Sequence, residues 1–228
     1  MENNSGLKTA RTKPQSIIFL IGNLPNLQQS LAQVQSSFAH SFSQSNINDA
    51  LLMFSLSKSQ MSPEHKFAFL TPESINVNLT SDIDLIRSNI KEIFSSREIE
   101  MSILDFLEKI QTELDIHPDK EYHNVVQIIV IHGELQLEGP IFHQLLTHKD
   151  VHFDIVYIPE SEENNESVFS ETQRNLNEEQ KTKSYYFKLK TPNDLSKAVS
   201  LLTAHPQQRL QQNDIDSFMQ RALSKRRK

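Results

Sequence analysis

Three histidines, His143, His148 and His152, stand close together in the chain. Imidazoles bind zinc when three or four ligands converge on one point. Here no carboxylate sits at ligand spacing, and His148 and His152 flank the turn before an apolar strand, so the pattern favours surface histidines. Asp154 is the second candidate. It interrupts the apolar run Phe153-Asp154-Ile155-Val156-Tyr157-Ile158. A carboxylate in such a strand needs partners or a shifted pKa, which makes it the best single residue for a polar site. Alternation along the strand favours a structural role, with the carboxylate turned to a polar edge or a capping group.

Other chemistries are excluded by residue type. Cysteine is absent, which removes disulfides, thiolate zinc sites and cysteine nucleophiles together. The four glycines, Gly6, Gly22, Gly133 and Gly139, cannot build a dinucleotide fingerprint or a Walker loop. Serines are abundant, but no Gly-x-Ser-x-Gly elbow occurs. No cofactor is expected. A net charge of -6 and a pI near 5.8 predict no direct nucleic-acid binding and no bulk attraction to an anionic membrane. No stretch approaches the roughly 20 apolar residues of a membrane span, and the first residues lack the apolar segment of a signal peptide. An intracellular chain is the default expectation.

The elements that must position these residues follow from periodicity. Ser16 to Ile21 is a short apolar run broken by Gly22 and Pro25, which suits a strand buried on both faces. Leu27, Leu31, Val34, Phe38 and Phe42 then recur at helical spacing, and Ile47, Leu51, Phe54 and Leu56 continue a helical or mixed segment up to Ser62-Pro63. Phe67 to Thr71 is a second strand, and Ile75, Val77 and Leu79 alternate as an edge strand. Thr80-Ser81-Asp82 caps a helix with Ile83, Ile86, Ile90, Ile93 and Phe94 inside. A further helix spans about Arg97 to Leu114, with Met101, Leu104, Leu107, Ile110 and Leu114 as its stripe, and His117-Pro118-Asp119 ends it. Val125 to Ile131 is the most β-branched run and should be a central parallel strand. A helix over Pro140 to Thr147, strands at Phe153 to Ile158 and Tyr185 to Leu189, and a helix over Asp194 to Ala204 complete the series. Strands alternating with helices predict an α/β, doubly wound, mostly parallel sheet with helices on both faces. The domain is expected over 15–206, after a flexible arm at 1–14 and before a tail at 207–228.

That tail carries Ile215, Phe218, Met219, Ala222 and Leu223 at amphipathic helical spacing. The stripe either folds back on the domain or enters a groove on a partner. Lys225-Arg226-Arg227-Lys228 reads equally as a nuclear-localisation or phosphate-contacting patch and as a solubilising tail. Glu160 to Glu166 is an acidic run that reads as a solvated loop, with a basic partner as the alternative.

Four segments carry a resemblance. His65-Lys66-Phe67-Ala68, Thr80-Ser81-Asp82, Phe153 to Ile158, and Leu201-Leu202-Thr203-Ala204-His205-Pro206-Gln207-Gln208-Arg209 stand in the same order and spacing as landmarks of a known family. The chain resembles the von Willebrand A-like scaffold subunits of the BRISC and BRCA-A deubiquitinase complexes, the MERIT proteins, over residues 16–209. The resemblance implies a von Willebrand A-like fold and a non-catalytic role in holding such a complex together. It implies three partners: a BRE-like subunit with ubiquitin-conjugating-enzyme-like folds, a zinc deubiquitinase of the JAMM type, and an Abraxas-like subunit. The complex removes lysine sixty-three-linked ubiquitin chains, which implies cytoplasmic and nuclear locations and links to DNA repair and mitosis.

The chain departs from the family in beginning almost at its first strand, without an acidic extension, and in ending on a basic run. Docking of the BRE-like subunit on Ile215, Phe218, Met219 and Leu223 therefore rests on position and amphipathicity. Two other readings stand beside the scaffold. A metal-dependent von Willebrand A-like ligand-binding module would need Asp-x-Ser-x-Ser after the first strand, where the chain has Gly22, Leu24 and Asn26, a degenerate site. An unrecognised hydrolase would have to turn over substrate as the isolated chain.

Overall fold

The computed structural model describes residues 13–22, 24, 42–71, 78–93, 103–116, 123–133, 140–158, 184–189 and 191–209. Five strands form one parallel sheet: β1 (Gln15–Ile21), β2 (Lys66–Leu70), β3 (Val125–His132), β4 (Val151–Tyr157) and β5 (Tyr186–Lys188), in the order β2-β1-β3-β4-β5. Every residue of β1, β3 and β4 is buried. That explains why their sequences read as continuous apolar runs, since helices cover both faces of a parallel sheet. β3 is the central strand, as its β-branched composition predicts.

The helices are α1 (Gln44–Met61), α2 (Ile83–Glu92), α3 (Ile103–Glu113), α4 (Pro140–Thr147) and α5 (Pro192–Leu202). On one face, α1 packs beside α2 and α5. Ile17, Phe19 and Ile21 of β1 meet Phe54, Ile86 and Leu195 there. Phe19 stacks on Phe69 at 5.2 Å and meets Phe54 edge-on at 5.2 Å. On the other face, α3 and α4 lie side by side. Ile18, Leu20, Ile128 and Val130 meet Phe106, Ile110 and Phe142 in a second apolar layer.

Local chemistry sets the helix ends. Asp82 accepts hydrogen bonds from the backbone N–H groups of Asp84 and Leu85, so the cap expected at Thr80-Ser81-Asp82 falls on its last residue. α3 stops before His117 because Asp115 turns into the left-handed region at φ 53. The N–H groups of Asp115 and Ile116 then close on the carbonyls of Thr112 and Gln111, the Schellman pattern that satisfies a helix's last acceptors. The stripe of α3 also differs from expectation. Phe106, Leu107 and Ile110 are fully buried, while Leu104 and Leu114 pack only partly.

At the β2 edge, Phe67 and Thr80 exchange two backbone hydrogen bonds of 2.8 and 2.9 Å in an antiparallel bridge. The edge strand expected over Ile75 to Leu79 falls mostly on residues outside the description, as do Leu27 to Phe38, Phe94, Met101 and the run Glu160 to Glu166. Packing extends to Arg209, past the expected boundary at 206. No helix among the described residues is long and apolar enough to cross a membrane.

Candidate functional site

In an open α/β sheet, ligands bind beyond the C-terminal ends of the strands, at the point where the strand order reverses. The chain steps from β1 outward to β2 and then back past β1 to β3, so the reversal lies between β1 and β3. Gly22 follows β1 there, its N–H bonded to the Ile131 carbonyl at 3.1 Å, and His132 closes β3 beside it. The imidazole of His132 takes the space of a side chain at position 22. A Cβ built on Gly22 would stand 1.9 Å from His132 Cδ2 and 2.5 Å from Nε2. His132 is buried, and burial lowers its pKa to about 4, so the ring is neutral. Leu24 packs partly against the apolar layer under α1 and α2. Asn26 lies outside the described residues.

Gly22→Asp is therefore expected to destabilise the protein by about 1–3 kcal/mol through overpacking. Addition of magnesium or calcium should restore none of that stability. Thermal melts with and without each ion check this, and recovery on adding an ion would show a latent metal site.

The opposite end of the sheet holds the polar residues. Gln15, Gln127 and Asp154 sit on the face covered by α1 and α5, each fully buried. Parallel register brings them together, because Ile17 pairs with Gln127 and Ile129 pairs with Asp154. A chain of hydrogen bonds crosses the three strands. Lys58 of α1 donates to Gln15 Oε1, and Gln15 Nε2 donates to Gln127 Oε1 at 3.2 Å. Gln127 Nε2 donates to Asp154 Oδ2 at 2.8 Å. Asp154 Oδ1 accepts from Arg209 Nη1 at 2.6 Å and from the Tyr185 N–H at 2.9 Å. Arg209 also donates to the carbonyls of Leu202 and Ala204 at 3.0 and 3.1 Å, and its guanidinium lies 4.7 Å from the centre of the Tyr185 ring. Both members of the ion pair are inaccessible to solvent. Such a pair survives in an apolar interior only with further hydrogen bonds, and here every nitrogen of the guanidinium and both carboxylate oxygens have a partner.

Two like charges compete for one carboxylate here. Burial, then the charge of Arg209, lower the Lys58 pKa to about 7 against a smaller opposing pull from Asp154. The candidate role of Asp154 is thus structural, and its partner is Arg209, which sequence alone did not identify.

The histidine cluster is corrected in part. His143 is exposed, but His148 and His152 are buried rather than on the surface. His148 Nδ1 accepts from the Asp150 N–H at 3.1 Å, which shapes the turn into β4. Neither ring nitrogen of His152 has a hydrogen-bond partner among the described residues. Among the described residues, no three His, Asp or Glu gather closely enough to hold a metal ion. The partner-binding candidates Ile215, Phe218, Met219 and Leu223, with the basic run Lys225 to Lys228, lie outside the described residues.

No protein-family model and no curated protein matches the chain. Solved structures do. The SpRpn10 VWA domain superposes with a TM-score of 0.56 at 16% identity, over 82% of this chain and 94% of that one. The chain has a von Willebrand A-like fold. A minor pilin, PilB of Streptococcus sanguinis (the D319A mutant), is similar at TM-score 0.58 and 9% identity, over 86% of this chain and 62% of that one. Proximal thread matrix protein 1 of the mussel byssus gives 0.55 and 12%, over 84% and 48%. These identities speak to the fold alone. Within this von Willebrand A-like domain, the strand end that would carry Asp-x-Ser-x-Ser is where His132 packs over Gly22.

Proposed function

We propose that the chain is a non-catalytic scaffold subunit of a BRISC-like or BRCA-A-like assembly that removes lysine sixty-three-linked ubiquitin chains. The observation that carries the reading is the filled strand end: His132 occupies the space beside Gly22 in which the fold would place a metal-binding carboxylate. A domain that has given up this position binds through other surfaces. The resemblance supplies which partners those are. Its segments contribute His65, Asp154, His205 and Arg209, all buried at the base of the sheet. The landmarks thus correspond to residues that organise the core. The BRE-like subunit is assigned to the tail, with Ile215, Phe218, Met219 and Leu223 as its apolar contacts. The JAMM-type deubiquitinase and the Abraxas-like subunit join through the same assembly, in cytoplasm and nucleus, in repair and mitotic signalling.

Affinity purification of the tagged full chain tests this directly. A BRE-like subunit and a JAMM-type deubiquitinase are expected to come with it, and their absence would sink the scaffold reading. Removal of residues 210–228 should lower recovery of the BRE-like subunit about tenfold or more, the effect of losing ~1.4 kcal/mol of contact. Undiminished recovery would move the docking surface onto the domain. Turnover of ubiquitin chains by the isolated protein would overturn the non-catalytic role.

A further inference from the structure

The last turn of the domain is held by a histidine that can work only without its second proton. His205 caps the turn Pro206–Gln208, which delivers Arg209 to Asp154. Its Nε2 lies 3.2 Å from the Lys13 carbonyl, which can only accept, so Nε2 carries the hydrogen. Nδ1 is then the acceptor for the Gln207 N–H at 3.3 Å. A proton added at Nδ1 sets two donors facing each other and removes the cap.

The surroundings oppose that proton. Lys58 of α1 and Arg209 both repel a charge on His205. His65, leading into β2, and His152 of β4 interact with it electrostatically as well. His65 is itself an acceptor through Nδ1, from the Gln15 N–H at 2.9 Å. Among the described residues, the negative groups at this end are Asp154 of β4 and Asp150 of the turn before it, and Lys13 bonds to Asp150 at 3.4 Å. Burial lowers the His205 pKa first, the hydrogen bond to the Lys13 carbonyl opposes this in part, and the charges of Lys58 and Arg209 add to the lowering.

His152 is the second part. It is buried with both ring nitrogens unpartnered, an arrangement that costs stability. It stands two residues before Asp154 on the same face of β4, attracted to that carboxylate and repelled by Arg209. If Arg209 withdraws, Lys58 and His152 are the groups left to neutralise Asp154, and His152, on the same face of β4, does so by taking up a proton.

We propose that His205 to Arg209 form an acid-released latch: protonation of His205 undoes the last turn, Arg209 leaves Asp154, and His152 replaces it as the counter-charge. Opening frees the five residues His205 to Arg209 from the domain, a gain in reach of roughly 17 Å when extended. The latch is closed above the ordinary histidine pKa and loosens as pH falls below it, because the open state binds the proton that the closed state refuses. The inference stands on the base of the sheet and is independent of the scaffold reading.

Hydrogen exchange of the intact chain between pH 7.5 and 5.5, corrected for intrinsic rates, tests it. Opening of residues 203–209 should rise toward about tenfold per pH unit below about 6.5 for one proton, and more steeply if His152 joins. Amides of β3 open only with the whole domain, so they should remain better protected than residues 203–209 at every pH in this range. His205→Asn keeps an acceptor at the Nδ1 position and cannot titrate, so it should flatten the dependence. His152→Leu should leave only the one-proton slope. Exchange of 203–209 that follows β3 at every pH would overturn the latch, and so would an unchanged pH dependence in H205N. Should a variant fail to fold, the comparison of the two segments within the wild-type chain still decides.

Discussion

Replacing Arg209 with methionine is expected to lower the unfolding free energy by about 3–5 kcal/mol. The loss does not measure the strength of the ion pair. It is the cost of leaving Asp154 charged in an apolar interior with only Gln127 and the Tyr185 N–H as donors, while the Ala204 carbonyl loses its donor and the Leu202 carbonyl keeps only Gln127 at 3.4 Å. Asp154 would recover part of the loss by taking up a proton. A double replacement, Asp154→Leu with Arg209→Met, should therefore be less damaging than either single change, since removing both charges removes the penalty. Denaturant melts of the three variants and the wild type form the cycle. Losses in the double variant equal to the sum of the singles would mean that the two residues act separately. The same ion pair fastens β5, because Asp154 Oδ1 also holds the Tyr185 N–H. Hydrogen exchange in Arg209→Met should accordingly rise at residues 185–189 before it rises in β1.

Acidification from pH 6.5 to 4 is expected to lower stability by about 3 kcal/mol per pH unit at its steepest. His65, His132 and His152 each have pKa values lowered to about 4, chiefly by burial. In the unfolded chain each returns to about 6.5. Between these values the unfolded state holds more protons than the folded one, so stability is present above 6.5 and lost as pH falls. His132 and His152 each contribute close to 1.4 kcal/mol per unit, and His65 is counted at less because solvent screens it more. A domain with the usual 5–15 kcal/mol of stability would unfold within a few pH units. Lys58 acts in a separate window with the same direction. Its folded pKa of about 7 lies below the unfolded value of 10.5, so between these pH values the unfolded chain keeps a proton that the folded chain has given up, and stability rises with pH. Isothermal denaturation at pH 4.5, 5.5, 6.5, 8 and 9.5 would show both arms. A flat profile below 6.5 would mean that the histidines are hydrated in the folded state.

Much of the fold could be read from the sequence because its strands are buried on both faces. A run such as Val125 to Ile131 allows few other readings, and α4 begins and ends where its sequence indicated. Asp154 was conspicuous for the same reason, as a charge in an apolar strand. Its partner was not, because Arg209 lies 55 residues away and nothing local marks it. A usable sign was nevertheless present. Gln127 is the one polar residue in its strand's apolar core, and two such residues on adjacent parallel strands are candidates for each other. His132 over Gly22 was hidden for a different reason. Gly22 showed only that a carboxylate was missing, while the filling ring comes from a strand that register alone places beside it. Burial of His148 and His152 was missed because a histidine beside a turn usually meets water, whereas in this turn Thr147 and Lys149 face solvent and His148 and Asp150 face inward.

The bridge between Phe67 and Thr80 has a consequence for how molecules meet. Among the described residues β2 ends the sheet, and an open outer strand is a template for lateral addition by another chain. Phe67 turns its N–H and carbonyl away from β1, and both are already used by Thr80. An incoming strand would find the pairing interrupted near the start of β2 and would have to displace a segment of the domain's own chain. Lateral fusion of two copies along this border is therefore hindered at Phe67, where the domain's own chain already holds the edge.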